Sequence, residues 1–264
     1  MKNILKITAL VMSVLMLSAC LFSCGSTTKT VADIQKAGKL VIATSPDFPP
    51  FEGLEGDEIV GIEVDIVKII CEKLGVEPEF VQCDFDSVLP GVQAGKYDMG
   101  MSGISVTDTR KENTLFTDPY CLAAQAIVVK EGSDITCKAD LEGKSVSVQS
   151  GTTAEDFCTT NGYAVSSFQA NDDAELAMVQ GKVDAWVIDD LTAAEMVAIY
   201  NAENDEQLVI LDDAMTTEPY AFAFKLGNDE LVAEINTIVN ELVADGTIAS
   251  IFEAHDAPFT SPAK

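Results

Sequence analysis

The sequence is short of the residues from which most reactive centres are built. It contains one histidine, His255, and one tryptophan, and its seven cysteines include no C-x-x-C pair. Zinc and dithiol sites need clustered soft ligands, so no metal, cofactor or redox centre is expected. Basic residues are scarce as well, 16 against 43 acidic, for a net charge of −27. Such a surface repels nucleic acid and anionic lipid, excluding a nucleic-acid partner while staying compatible with a cationic solute. A phosphate loop is missing too: Gly143-Lys144-Ser145 has Lys138 where the earlier glycine should stand, and a strand pattern follows it. No apolar run reaches the roughly 20 residues that span a bilayer.

What is present begins with a leader. Lys2 and Lys6 flank the start of an apolar run, residues 7–17, and Leu17-Ser18-Ala19-Cys20 follows. This reads as an export signal over residues 1–20 ending in a lipobox, with Cys20 the expected lipidation site. Cys24, in Leu21-Phe22-Ser23-Cys24, is the alternative, since the polar residues 25–30 after it suit a flexible tether, here assigned to 21–30. The expected location is the outer face of the cell membrane or the periplasm, held by a lipid anchor. Five cysteines remain, Cys71, Cys83, Cys121, Cys137 and Cys158. Their odd number leaves at least one unpaired, and buried thiols are the default.

Strand and helix patterns alternate along the rest, which predicts an α/β fold with mostly parallel sheets. Strands are expected at 39–44, 79–83, 99–103, 124–129, 145–149, 185–188, 207–211 and 220–224. Helices are expected at 31–37, 61–75, from 153 and over 229–245. One internal echo organises the chain: Val92-Gln93-Ala94-Gly95-Lys96-Tyr97-Asp98 returns as Val179-Gln180-Gly181-Lys182-Val183-Asp184. In each, glycine can close a helix and turn the chain into a strand, implying two lobes of related plan.

Open α/β sheets bind ligands where strand ends meet helix starts, and four segments qualify. Residues 44–52 carry three prolines that stiffen Phe48 and Phe51 into a rigid wall, with Asp47 and Glu52 beside them. Residues 102–110 hold Ser102, Gly103, Ser105 and Arg110 behind a cap at Thr107. An arginine fork matches a carboxylate, although from spacing alone a surface pair of Arg110 with Asp108 or Glu112 is the simpler reading. Gln149 to Glu155 form a strand, a turn at Gly151 and a helix start at Thr152 or Thr153 whose free amides seat an anion, or are merely capped. The strand 185–188 ends in Asp189 and Asp190. Asp189 is the candidate acceptor for an ammonium and Asp190 the candidate helix cap.

Taken in order, these segments resemble the family 3 solute-binding proteins of bacterial amino-acid ABC importers, over residues 31–254. The likeness is carried by Gly38-Lys39-Leu40-Val41-Ile42-Ala43-Thr44, Pro50-Phe51-Glu52, Gly61-Ile62-Glu63-Val64-Asp65, Met101-Ser102-Gly103-Ile104-Ser105 with Arg110, Phe116-Thr117-Asp118-Pro119-Tyr120, Gly151-Thr152-Thr153 and Ala244-Asp245-Gly246-Thr247. The resemblance implies a type II periplasmic-binding-protein fold: two α/β lobes, 31–122 with 215–264 and 123–214, joined by a two-strand hinge with the ligand cleft between them. It implies that Arg110 clamps a ligand α-carboxylate together with Ser102, Gly103, Ser105 and Thr153. Asp189 would take the α-ammonium, Phe48 would face the side chain, Gln149 and Thr152 would join the site, and Asp47 and Glu52 would belong to a side-chain pocket. The implied protein is a monomer, not an enzyme, that hands a free amino acid, expected to be polar or basic, to permease subunits. The rivals are a dehydratase on the same fold and a sensory amino-acid-binding module. The acid that some basic-amino-acid binders of the family carry early in the first loop is Ser45 here, with Asp47 two places on, a third-loop side-chain contact is Ala154, and the partner position for a bridge that some relatives make from Cys71 is Pro78.

Overall fold

The computed structural model describes residues 28–213 and 215–262. The expected leader, with Cys20 and Cys24, lies outside them. Two five-stranded sheets are built on one plan. In the first, the strands run in the order Glu77–Gln82, Lys39–Thr44, Met99–Gly100, Ala223–Lys225, Thr114–Phe116, and in the second Ala164–Phe168, Ser145–Gln149, Ala185–Asp189, Gln125–Lys130, Leu208–Ile210. Each has three parallel strands with the first in the centre, then antiparallel strands. Helices cover the faces, and each sheet with its helices makes one lobe.

The repeated Gly-Lys-x-Asp motif has one job in both lobes. Gly95 (φ 74) and Gly181 (φ 68) adopt the left-handed turn that ends a helix. The aspartate three residues on then clamps the central strand. Asp98 donates its amide to Val41 O at 2.8 Å and accepts the Val41 amide on Oδ2 at 2.9 Å. Asp184 does the same with Ser145, at 2.9 and 2.7 Å. Each carboxylate satisfies a backbone amide of the central strand, that of the third residue in one sheet and of the first in the other.

Two connections join the lobes, Cys121–Ala123 outward and Glu218–Tyr220 back, and they pair with each other as an antiparallel ribbon. The continuous strand expected at 220–224 is thus two strands in different sheets. The Ala221 amide bonds Ile104 O and the Phe222 amide bonds Thr117 Oγ1, so the chain changes partners there. The strand expected at 99–103 also stops early, at Gly100, and the chain turns at Gly103 with φ 52. The five body cysteines are all free thiols.

The start of helix Ile62–Leu74 shows how the first-lobe loop is held. The Ile62 and Glu63 amides, left without intrahelical acceptors, donate to Pro50 O at 2.9 Å and Phe51 O at 3.0 Å. Gly61 permits this: φ is 137, and a Cβ there would lie 2.3 Å from Phe51 O. Gly61→Ala is therefore expected to destabilise the protein by about 3 kcal/mol or more. Urea unfolding measures it, and a loss under about 1 kcal/mol would show that the loop yields cheaply.

Candidate functional site

Where the lobes face each other, a cavity encloses about 360 Å³ of space between atoms, its open mouth included. Phe48, Ser102, Gly103, Ser105 and Arg110 from the first lobe line it, with Gln149, Thr152, Thr153 and Asp189 from the second. They meet there because each lies at the carboxyl end of a strand or on the loop and helix start that follow it. Phe85, Ala154, Asn171, Val187 and Ile188 complete the wall. Phe85 and Asn171 open the helices after strands Glu77–Gln82 and Ala164–Phe168. The strand-end rule applied to those two strands would have found them.

Arg110 spans the cleft. Its Nη1 donates to Ser105 O at 2.8 Å and its Nη2 to Gly151 O at 3.0 Å, across to the other lobe. The guanidinium stacks over Phe85, 5.7 Å from the ring centre. Neither Asp108 nor Glu112 pairs with it. Asp108 takes Lys111 instead, and among the described residues Arg110 forms no ion pair. Burial pulls its pKa down, while the more distant Asp156, Glu218 and Asp189 support the charge. The cavity therefore contains a cation with no anion in contact.

On the second lobe, Thr152 caps helix Thr153–Thr160 by accepting the Glu155 amide at 3.2 Å. That leaves the first-turn amides of Thr153 and Ala154 without intrahelical acceptors at the cavity wall. Together with Arg110 they make an electropositive corner.

Asp189 is the counterpart. It is buried, and it accepts hydrogen bonds from the Tyr220 hydroxyl and Gln125 Nε2. Burial pushes its pKa up to about 8, with Glu218 and Asp190 adding to the rise and the two donors opposing it. Tyr220 and Gln125 have no sequence signal that would place them behind this acid. Asp190 binds the Leu191 amide at 2.9 Å and the Ala124 amide at 3.2 Å. It is the first helical residue, not the residue before the helix.

Four residues expected at the ligand are engaged elsewhere. The Ser102 hydroxyl donates to Glu52 at 2.8 Å and accepts the Ser45 amide at 3.1 Å. The Gly103 amide donates to Glu63 at 2.9 Å. Ser102 thus faces the cavity only as an acceptor and Gly103 offers no donor, whereas the Ser105 amide meets no acceptor among the described residues. Glu52 is fully buried beneath the wall and lines no part of the cavity. Asp47 is also outside it, because its carboxylate accepts Ser45 Oγ at 2.8 Å, Gln149 Nε2 at 2.9 Å and the Asn171 amide at 2.8 Å.

That network ties the lobes together and sets the far wall. Gln149 Nε2 also donates to Gln169 O, and Asn171 Nδ2 donates to Asp47 O and Gln149 Oε1. With the amide hydrogens of both side chains used, only their oxygens are left for the cavity. His255 is remote, paired with Asp65 at 3.0 Å. Among the described residues no cluster of His, Cys, Asp and Glu is arranged to hold a metal, and no helix is long and apolar enough to cross a membrane.

The family model of the bacterial extracellular solute-binding proteins, family 3, matches residues 40–255. A probable histidine-binding protein of Campylobacter jejuni is 31% identical over 82% of this chain and 84% of its own length. The arginine-binding extracellular protein ArtP of Bacillus subtilis is 30% identical over 90% of this chain and 94% of its own. Among solved structures, the arginine-bound form of truncated ArgBP from T. maritima superposes with a TM-score of 0.75 at 37% identity, covering 80% of this chain and 99% of that one. These relatives carry the names of binding proteins, not of enzymes, and the two lobes with their paired connecting strands have the type II periplasmic-binding-protein architecture. On the family match and the shared fold together, this chain belongs to the bacterial extracellular solute-binding proteins, family 3.

Proposed function

We propose that the protein is the substrate-binding component of an ABC importer, which captures a free L-α-amino acid between its lobes and delivers it to permease subunits. The observation that carries this reading is a pair of unmatched groups in one cavity: Arg110 lacks an anion and Asp189 lacks a cation, and they come from opposite lobes. A ligand bearing a carboxylate and an ammonium at amino-acid spacing satisfies both at once. Only such a ligand favours the closed arrangement over the open one. The carboxylate sits against Arg110, the Ser105 amide and the start of helix Thr153–Thr160, and the ammonium against Asp189 and Ser102.

The side chain then points to the wall of Phe48, Gln149 and Asn171, where only acceptor oxygens remain. This supports a donor-bearing, polar or basic side chain, in keeping with relatives named for histidine and arginine. The lobes are residues 31–122 with 215–264, and residues 123–214. The chain is exported and anchored by a lipid on Cys20 or Cys24, and it acts as a monomer. Screening the twenty amino acids by thermal shift tests the binding reading. A ligand at 100 times its Kd stabilises by about 2.7 kcal/mol, roughly 5–10 °C for a chain of this size. If none of the twenty raises the melting temperature, the reading is wrong.

A further inference from the structure

Beneath the first-lobe wall of the cavity, two carboxyl groups are held side by side by the adjacent residues Ser102 and Gly103, with no basic partner among the described residues. Glu52 follows Phe51 in the first-lobe loop and Glu63 stands in the first turn of helix Ile62–Leu74, and both are fully buried. Glu63 Oε2 accepts the Gly103 amide at 2.9 Å and its Oε1 accepts the Tyr120 hydroxyl at 2.7 Å. Glu52 Oε1 accepts the Ser102 hydroxyl at 2.8 Å. Its Oε2 is sealed from solvent and receives no donor from the protein, and the neighbouring Glu63 carboxyl adds to the effect of burial in raising its pKa.

Two buried carboxylates cannot meet without a proton between them, because like charges in contact and an orphaned buried oxygen are both strongly unfavourable. The contacts also say where that proton sits. Glu63 accepts from two donors and occupies a helix start, which favours an anion. Glu52 Oε2 faces no N–H, so it carries the proton and donates it to Glu63. Burial raises the pKa of both groups, that of Glu52 well above its ordinary value and further through the charge of Glu63.

We propose that Glu52 and Glu63 act as one acid pair sharing a single proton, and that this pair positions the Ser102–Gly103 segment of the cavity wall. Ligand affinity then depends on two residues the ligand never touches. The pair takes up both donors of that segment, the Ser102 hydroxyl and the Gly103 amide, and leaves the Ser105 amide as the free donor facing the cavity. The affinity part of this inference rests on the amino-acid-binding reading above; the shared proton does not.

The test is an asymmetry between two isosteric variants. In Glu52→Gln, a permanent N–H replaces the shared O–H and the amide oxygen still accepts from Ser102, so affinity by calorimetry should stay within about twofold. In Glu63→Gln, one acceptor oxygen is replaced by a donor that opposes Gly103 N–H or Tyr120 O–H, and affinity should fall about tenfold or more. Equal losses in the two, or the reverse order, would overturn the proposal. Infrared difference spectra of the ligand-saturated protein provide a readout that a merely structural role would not move. In the difference between wild type and Glu52→Gln, the C=O stretch of one protonated carboxyl should be lost. Its survival in that variant would place the proton elsewhere and end the proposal. Should Glu63→Gln not fold, Tyr120→Phe removes one donor to Glu63 without touching the cavity, and unchanged affinity there would equally refute the positioning role. If no amino acid binds, amide exchange at Ser102–Ser105 and the wild-type-minus-variant infrared difference, in which the band of protonated Asp189 cancels, are read on the ligand-free protein. Faster exchange in Glu63→Gln but not in Glu52→Gln would sustain the pair although the binding reading had failed, and equal exchange would reject both.

Discussion

Replacing Arg110 with alanine is expected to weaken amino-acid binding by at least about 30-fold while changing the stability of the ligand-free protein by only about 1 kcal/mol. The asymmetry follows from what the guanidinium touches. Without ligand it gives two hydrogen bonds to neutral carbonyls, Ser105 O and Gly151 O. Each contributes about 1 kcal/mol net, and the unfavourable burial of an unpaired cation offsets part of that gain. With a carboxylate in the cavity, the same group forms the one close charge pair available to it. Truncating one partner of a buried charge pair costs about 2–5 kcal/mol, which is roughly 30- to several-thousand-fold in affinity. Arg110→Lys should recover only part of the loss, because an ammonium cannot reach the carbonyls and fork onto a carboxylate at once. Isothermal calorimetry of the three proteins settles the point. Full affinity in the alanine variant would remove Arg110 from the carboxylate role.

The reading of the fold from sequence worked where local chemistry and tertiary structure agree. Gly95 and Gly181 close helices, and Asp98 and Asp184 clamp strands through one pair of backbone contacts, so the four-residue echo reports a shared structural task. The cavity residues were legible for a related reason, since strand ends that run into helix starts converge in an open α/β lobe. Legibility failed where the partner of a side chain is distant in sequence. Glu52 was expected in the side-chain pocket, but Ser102, 50 residues on, draws it beneath the wall. Ser102 was expected to donate to a carboxylate, and that same bond consumes its proton. Residues 220–224 have the apolar, aromatic run of one strand, yet the switch at Ala221 and Phe222 depends on Ile104 and Thr117. Asn171 was missed because strand Ala164–Phe168 is short and half polar, giving little alternation to recognise.

Asp189→Asn should remove a proton from the binding equilibrium as well as a charge from the site. In the ligand-free protein burial holds the Asp189 carboxyl near pKa 8, so at pH 7 it is about nine-tenths protonated. An arriving ammonium stabilises the anion, and binding must expel that proton. Calorimetry in buffers of differing ionisation enthalpy should find about 0.9 proton released per ligand at pH 7, and none from this site in Asp189→Asn. The sign for affinity follows: wild-type binding strengthens by up to tenfold per pH unit between 6 and 8 and levels off above. The asparagine variant, at least about 30-fold weaker at pH 8, lacks this rise, so the gap between the two narrows as pH falls. The sign for stability is the opposite. A carboxyl whose folded pKa is raised supports the ligand-free fold fully below its ordinary value of 3.8, and that support is lost as pH rises towards 8. The melting temperature of the empty wild type should therefore decline relative to Asp189→Asn across that range. A ligand affinity that stays flat from pH 6 to 8 in the wild type would mean that the ammonium is held by some other group.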